Sequence, residues 1–395
     1  MKRRPFIRFI LTALLATCIV AALAVVLELV VGQLFPAPDH FYIWPPGLER
    51  ILTPRQDILP GTSPRARFSI NSYGLRGEEP SPDDDYRILV LGGSAAECLY
   101  LDQAQTWPYL IMDCLKRANP DLQVWTTNGG RSGQNSRDHT LQIELLPFKL
   151  LDPDAVIVCL GVNDLLLRLR QDQAYDPHAL SRPGGRDLQI DRAFLFAPDE
   201  YSLPPPPWYK RTGLWRTLRK ARRWLQLGDP QDPEGKIIET WRGHRRQAGE
   251  RRSQLPEMGP ALREYVANLR RMISLAAQKD VRIVFLAQPA TWKEGMTEEE
   301  ESRLWMGGVG NFQSASGLPY YTPGALAAGL KSYNDVLKSV CDWSGAEYLD
   351  LAGRIPPTVE NFYDDCHFTE QGSREAARLI CDYLLARPPW ETAEE

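Results

Sequence analysis

Histidine is scarce, cysteines are never paired closely, and neither charge is in excess. Each shortage excludes a class of function. There are five histidines in 395 residues. The seven cysteines, at positions 18, 98, 114, 159, 341, 366 and 381, form no Cys-x-x-Cys pair, so a metal framework is not indicated. A formal net charge of −4 offers no electrostatic footprint for nucleic acid as the main partner. No internal repeat is present. The 43% hydrophobic and 24% charged content is that of a folded chain, long enough for one large domain or two ordinary ones.

The long apolar run is at the N-terminus. Lys2, Arg3, Arg4 and Arg8 precede an uncharged stretch from Phe9 to Leu27, and apolar character resumes after Glu28 up to Phe35. As a helix this is long enough for about 30 Å of hydrocarbon. The basic flank predicts a cytoplasmic N-terminus and a body beyond the membrane. The alternative is a cleaved signal peptide. That would have a shorter apolar region and a small-x-small site, whereas Gly32-Gln33-Leu34-Phe35-Pro36 is bulky. The expected layout is therefore an anchor over 1–35, a Pro-rich connector over 36–85 that packs on the body, and a main domain over 86–390.

From residue 86 onward, strand and helix patterns alternate. Continuous apolar runs at Arg87–Leu91, Gln123–Thr127, Ala155–Leu160, Arg282–Ala287 and Glu347–Leu351 predict about five buried strands. Helical spacing predicts helices over Trp107–Lys116, Asp138–Leu150, Ala261–Gln278, Ala325–Ser344 and Gly372–Leu385. Such alternation argues for a parallel sheet covered on both faces, with ligands at the carboxyl ends of its strands. Residues 165–257 break the rhythm with Pro204–Pro207 and a basic stretch from Trp208 to Arg252. There Leu214, Leu218, Ala221 and Leu225 form a helical stripe among Arg216, Arg219, Lys220, Arg222 and Arg223. This reads as a solvated helical insertion, or as a basic surface facing anionic lipid or an acidic polymer.

Four pieces carry chemistry, and three of them follow predicted strands. Ser94 ends Leu91-Gly92-Gly93-Ser94. Gly133 closes Asn128-Gly129-Gly130-Arg131-Ser132-Gly133. Asn163 lies in Gly161-Val162-Asn163-Asp164. His367 ends Asp364-Asp365-Cys366-His367. A serine hydroxyl needs a base, and His367 is the candidate. Asp364, three residues earlier, can hold one tautomer of its imidazole; Asp365, at two residues, is the weaker competitor. An oxyanion would find donors in the Ser94 N–H, a glycine-loop N–H at Gly133 and the Asn163 amide. His40, His139 and His178 also have a nearby aspartate but read as surface residues. The elbow Gly-x-Ser-x-Gly is not met, because Ala96 stands where its last glycine would be. Whether Cys341, Cys366 and Cys381 form a disulfide is left open.

Together these residues resemble the SGNH, or GDSL, hydrolase superfamily. Ser94, Gly133, Asn163 and His367 match its four named residues, and Asp364 its orienting carboxylate. Gly93 stands where the family name has aspartate. Asn71-Ser72-Tyr73-Gly74-Leu75-Arg76, Gln288-Pro289 and Tyr333-Asn334 resemble segments of membrane-anchored bacterial members. The resemblance implies a flavodoxin-like three-layer α/β/α fold, no cofactor and no metal. It also implies hydrolysis of acyl or acetyl esters on a small molecule, lipid or glycan. A polysaccharide O-acyltransferase and a non-catalytic envelope protein are the alternative functions.

Overall fold

A computed structural model describes residues 3–34, 38–198 and 232–388, with 207, 209, 212–215, 217 and 218 between them. The chain forms two compact units: Met1–His40 with Ala197–Gln231, and Phe41–Phe196 with Asp232–Glu395. The stretch expected as one insertion is thus shared between them. Of the expected stripe, Leu214 and Leu218 are described; Ala221, Leu225 and the arginines and lysine at 216, 219, 220, 222 and 223 lie outside the described residues.

The first unit contains helix α1 (Arg3–Leu34). Its segment Leu11–Leu34 has 24 residues and a mean hydropathy of 2.8, long and apolar enough to cross a membrane, as a signal sequence near the N-terminus also is.

The second unit is built on five parallel strands: β1 (Tyr86–Gly92), β2 (Val124–Asn128), β3 (Ala155–Leu160), β4 (Arg282–Ala287) and β5 (Glu347–Asp350). Their order is β2-β1-β3-β4-β5. All six residues of β3 are buried, as both-face coverage demands. On one face Ile88, Val90, Ile157, Val284 and Leu286 pack with Ile111 and Leu115 of α2 (Trp107–Ala118) and with Ile380 and Leu384 of a C-terminal helix over Glu370–Leu385. The unit's other helices of at least 10 residues are α3 (Ser136–Leu145), α4 (Val162–Gln171), α5 (Lys236–Arg246), α6 (Gly259–Gln278) and α7 (Pro323–Ser344), so the C-terminal helix is α8. Helix α6 packs on α3, α4 and α7. The chain reverses its direction of travel across the sheet at β1 and β3, the switch point where open α/β sheets bind ligands.

Three expectations change. The helix predicted over Asp138–Leu150 ends at Leu145, because Pro147 cannot continue it; a separate turn spans Phe148–Leu151. His139 is not a surface residue: it is fully buried and its Nδ1 lies 2.9 Å from Gln142 Oε1. The disulfide joins Cys114 to Cys381, bridging α2 and α8, while Cys341 and Cys366 are free and buried. Nothing in the spacing marked this pair, since the two residues are 267 positions apart.

Closing so long a loop restricts the unfolded chain strongly. Replacing both cysteines (Cys114→Ser with Cys381→Ser) should lower stability by about 2–5 kcal/mol, read from denaturant unfolding in detergent.

Candidate active site

The carboxyl ends of β1, β2 and β3 lie side by side, with Val90 opposite Asn128 and Gly92 opposite Cys159. After β1 the chain turns through Gly93 into a single helical turn, Ser94–Glu97, which Cys98 ends in the left-handed region at φ 51°. The departure from the family name at position 93 has a steric reason. A Cβ there would lie 2.1 Å from Asn163 Nδ2, so the asparagine amide occupies the space a larger residue would need. Asn163 is in the first turn of α4, entered through Gly161 at φ 125°. Its Nδ2 donates to the Gln134 carbonyl at 2.7 Å, tying α4 to the glycine loop.

That loop is strapped to the serine turn. Asn128 Nδ2 donates to the Ala96 carbonyl (2.6 Å), and its Oδ1 accepts from the Gly130 N–H (2.7 Å). The Arg131 N–H donates to the Gly92 carbonyl (3.0 Å). The Ser132 N–H donates to Glu97 Oε2 (2.6 Å), and its hydroxyl reaches the same oxygen. Gly130 must be glycine for this closeness, because a Cβ would meet Glu97 N at 2.4 Å. Gly133 differs: it adopts φ 78°, and a Cβ there would face open space. Among the described residues, neither the Gly133 N–H nor the Ser94 N–H makes a hydrogen bond.

His367 arrives from the loop between β5 and α8. Its Nδ1 lies 2.8 and 2.7 Å from the two carboxylate oxygens of Asp364. The short spacing works because Asp364 Oδ1 also accepts from the backbone N–H groups of Cys366 (3.1 Å) and His367 (3.0 Å), closing a tight turn. Trp305 Nε1 donates to Asp364 Oδ2 at 2.9 Å. The rings of Trp305 and Tyr363 run nearly parallel to the imidazole, 10° and 16° from its plane. Asp365 does not touch His367. Instead it accepts from Trp292 Nε1 (2.7 Å) and from the N–H groups of Trp305 (2.8 Å) and Met306 (3.2 Å), which holds Trp305 in place. Arg242 of α5 donates to the carbonyls of Tyr363, Arg303 and Ile58, pinning the loop from outside.

Ala96 and Cys98 beside Ser94, and Phe362 and Phe368 beside His367, all belong to one buried apolar cluster. Arg76 braces the serine turn by donating to the carbonyls of Glu97 (2.6 Å) and Cys98 (2.8 Å). No hydrogen bond joins the Ser94 hydroxyl to His367.

The electrostatics follow from burial and pairing. Burial opposes ionisation of Asp364, but His367, the Trp305 N–H and Arg242 outweigh it and hold the carboxyl below its ordinary value. Burial likewise opposes the imidazolium, yet Asp364, Asp365 and Glu97 leave the His367 pKa raised above 6.5. Asp365, buried beside the Asp364 charge, is pushed up. Burial lifts the Cys366 thiol well above 9, which makes it a poor thiolate source. Asp164, next to Asn163, is raised to about 7 by burial, while Ser136 stabilises its charge through its N–H and hydroxyl. Among the described residues no cluster of His, Cys, Asp and Glu could hold a metal ion.

Sequence reasoning missed Trp305, Arg242, Glu97, Asn128 and Arg76. Asn128 and Arg76 stood inside quoted motifs, with no such role assigned to either. Trp305 and Arg242 come from stretches whose spacing carries no signal, and only the tertiary fold brings them to the loop.

The profile of the GDSL-like lipase/acylhydrolase family matches residues 90–375. No curated protein matches the chain. Among solved structures, LAE5, an alpha/beta hydrolase enzyme from the metagenome of Lake Arreo, Spain, is 14% identical with a TM-score of 0.40, covering 77% of this chain and 95% of its own. The W215I variant of Axe2, an acetyl xylan esterase from Geobacillus stearothermophilus, is 14% identical with a TM-score of 0.40, covering 76% and 94%.

The pairing makes two variants move His367 in opposite directions. Asp364→Asn removes the main stabilising charge and should lower the imidazole pKa. Trp305→Phe removes a donor that competes for the same carboxylate and should raise it further. NMR titration of the His367 ring checks both, and equal shifts in the two variants would refute the arrangement.

Proposed function

We propose, because the chain belongs to the GDSL-like lipase/acylhydrolase family of ester-bond hydrolases, that it is a serine esterase working through Ser94, His367 and Asp364. The observation that carries this reading is the buried Asp364–His367 pair, whose neighbours Phe362 and Phe368 belong to the same apolar cluster as Ala96 of the turn that bears Ser94. In the proposed mechanism Ser94 Oγ attacks the ester carbonyl while His367 Nε2 takes its proton. The Ser94–His367 hydrogen bond forms with substrate bound, since such bonds often reach good geometry only in the occupied site. The tetrahedral oxyanion is met by the Ser94 N–H, the Gly133 N–H and the Asn163 amide. Among the described residues two of these donors have no competing partner, and the third is held by the Gln134 carbonyl. Collapse expels the alcohol, protonated by His367. Water, activated by the same imidazole, then releases the acid and frees Ser94.

The proposed organisation is an anchor over 1–35 with its N-terminus in the cytoplasm, a connector over 36–85, and a catalytic body over 86–390 on the far side of the membrane. The basic residues ahead of the apolar run support that orientation. So does the Cys114–Cys381 disulfide, which belongs to an oxidising compartment. The proposed substrate is an acyl or acetyl ester of an envelope glycan or lipid, within reach of a tethered enzyme.

Fluorophosphonate should label Ser94 in the wild type and not in Ser94→Ala; equal labelling would refute the nucleophile. Asn163→Ala should lower kcat by about 10²–10³-fold, as loss of one oxyanion donor does. The base must be neutral to act and its pKa is raised, so kcat/KM should fall as pH drops through a value above 6.5. Incubation with a sugar acceptor separates hydrolysis from acyl transfer, since transfer would place the acyl group on the sugar instead of releasing the free acid.

A further inference from the structure

We propose that residues 209, 212–215, 217 and 218 make a second membrane contact, an interfacial foot that docks on the anchor helix and lies in the lipid surface. The inference rests on the reading of α1 as a membrane span and extends it to a part of the chain distant in sequence.

Two independent contacts fix the segment to α1 within the first unit. Glu28, the one acidic residue in the apolar run, accepts hydrogen bonds from the backbone N–H groups of Gly213 and Leu214 (2.9 Å for Leu214). One turn further along α1, Gly213 lies against Gly32. A Cβ on Gly213 would meet Gly32 Cα and N at 2.8 Å and Val31 C at 3.2 Å. The missing side chain at Gly213 lets the two backbones approach closely, as small residues do where helices pack within bilayers and no hydrophobic effect drives their association.

These contacts set a depth. The apolar segment ends at Leu34. At 1.5 Å per residue, Glu28 lies about 9 Å and Gly32 about 3 Å inside that end. Amphipathic interfacial helices bury their apolar faces about 5–10 Å deep. A segment pinned between residues 28 and 32 therefore sits at the boundary of headgroups and hydrocarbon. Its exposed side chains suit that level. Leu214 is 41% exposed and Leu218 57%. Tyr209 and Trp215 are 43% and 38% exposed and pair edge-to-face at 5.6 Å. Aromatic rings with a polar edge concentrate at this boundary. The exposed apolar surface of α1 continues into that of the segment, so a single occupant, the bilayer, covers both. Docking also removes a difficulty for α1. A carboxylate below the interface is costly in hydrocarbon, and two backbone donors give it partners there.

The test uses the full-length protein in lipid nanodiscs with single spin labels. Cys18→Ser removes the exposed native thiol; the remaining cysteines are buried or bonded. Labels go on Leu214→Cys and Leu218→Cys, on Leu29→Cys as the anchor reference, and on Trp343→Cys as the reference on the second unit. The ratio of accessibility to oxygen over a water-soluble nickel complex reads lipid exposure. The expected result is a ratio at 214 and 218 that groups with 29 and stands several-fold above that at 343. If 29 reads as lipid while 214 and 218 read as water, the foot is refuted and the anchor stands. If 214 and 218 are shielded from both reagents, a protein surface covers them and the proposal fails. If 29 itself reads as water, the membrane reading fails and the foot with it. In Glu28→Ala the ratio at 214 should move toward the water value while that at 29 holds. An unchanged ratio at 214 would refute the docking contact.

Discussion

Everything proposed for the site depends on keeping an aspartate and a histidine paired in a place that water barely reaches. Burial disfavours both charges, so each needs compensation from its surroundings. Asp364 has it from His367, from two backbone N–H groups of its own turn, from the Trp305 indole and from the nearby Arg242 guanidinium. The imidazole has it from Asp364, with Asp365 and Glu97 adding to the negative field. The pair is therefore stable only if three separate segments arrive together: the Asp364–His367 turn, the 304–306 stretch, and α5 with Arg242. The two adjacent aspartates divide this work. Asp364 faces the histidine, and Asp365 holds the tryptophan that bonds Asp364.

The other half of the site is organised by backbone proximity. Gly93 and Gly130 lack side chains where a Cβ would collide with Asn163 Nδ2 and with the Glu97 backbone N. Gly133 is glycine for a different reason, a left-handed backbone beside open space. Asn128, Glu97 and Asn163 then fasten the glycine loop to the serine turn and to α4 with hydrogen bonds of 2.6–2.7 Å. Donors held this way need little rearrangement when charge develops beside them, which is the source of electrostatic catalysis.

Reading the residues alone reached the main architecture because the signals are local. Apolar runs mark β3 and β4 to the residue, and the i, i+3, i+4 stripe of Leu262, Tyr265, Val266, Leu269, Met272 and Ile273 marks α6. Ser94, Gly133 and Asn163 stand out as candidates in the sequence because each lies within a few residues of the end of a strand of a parallel sheet, and Asp364 with His367 because three residues span one turn. The failures were non-local or steric. His139 looked superficial because its polar neighbours are hydrophilic by type, yet it points into the body and bonds Gln142. The basic stretch up to Arg252 looked uniformly solvated, yet Arg242 and Arg245 are buried, each donating to backbone carbonyls.

By itself, then, the sequence determined the layer order of the fold, an apolar N-terminal helix of membrane length, and the identity of the candidate serine, glycine, asparagine, aspartate and histidine. Periodicity, run length and short spacing are properties of neighbouring residues, and neighbours suffice to state them. Only the tertiary structure decided that Cys114 pairs with Cys381, that Trp305 donates to Asp364, and that Gly213 meets Gly32. Each of these joins residues far apart in the chain. Such contacts arise from packing many segments at once, and no local pattern encodes where those segments will meet.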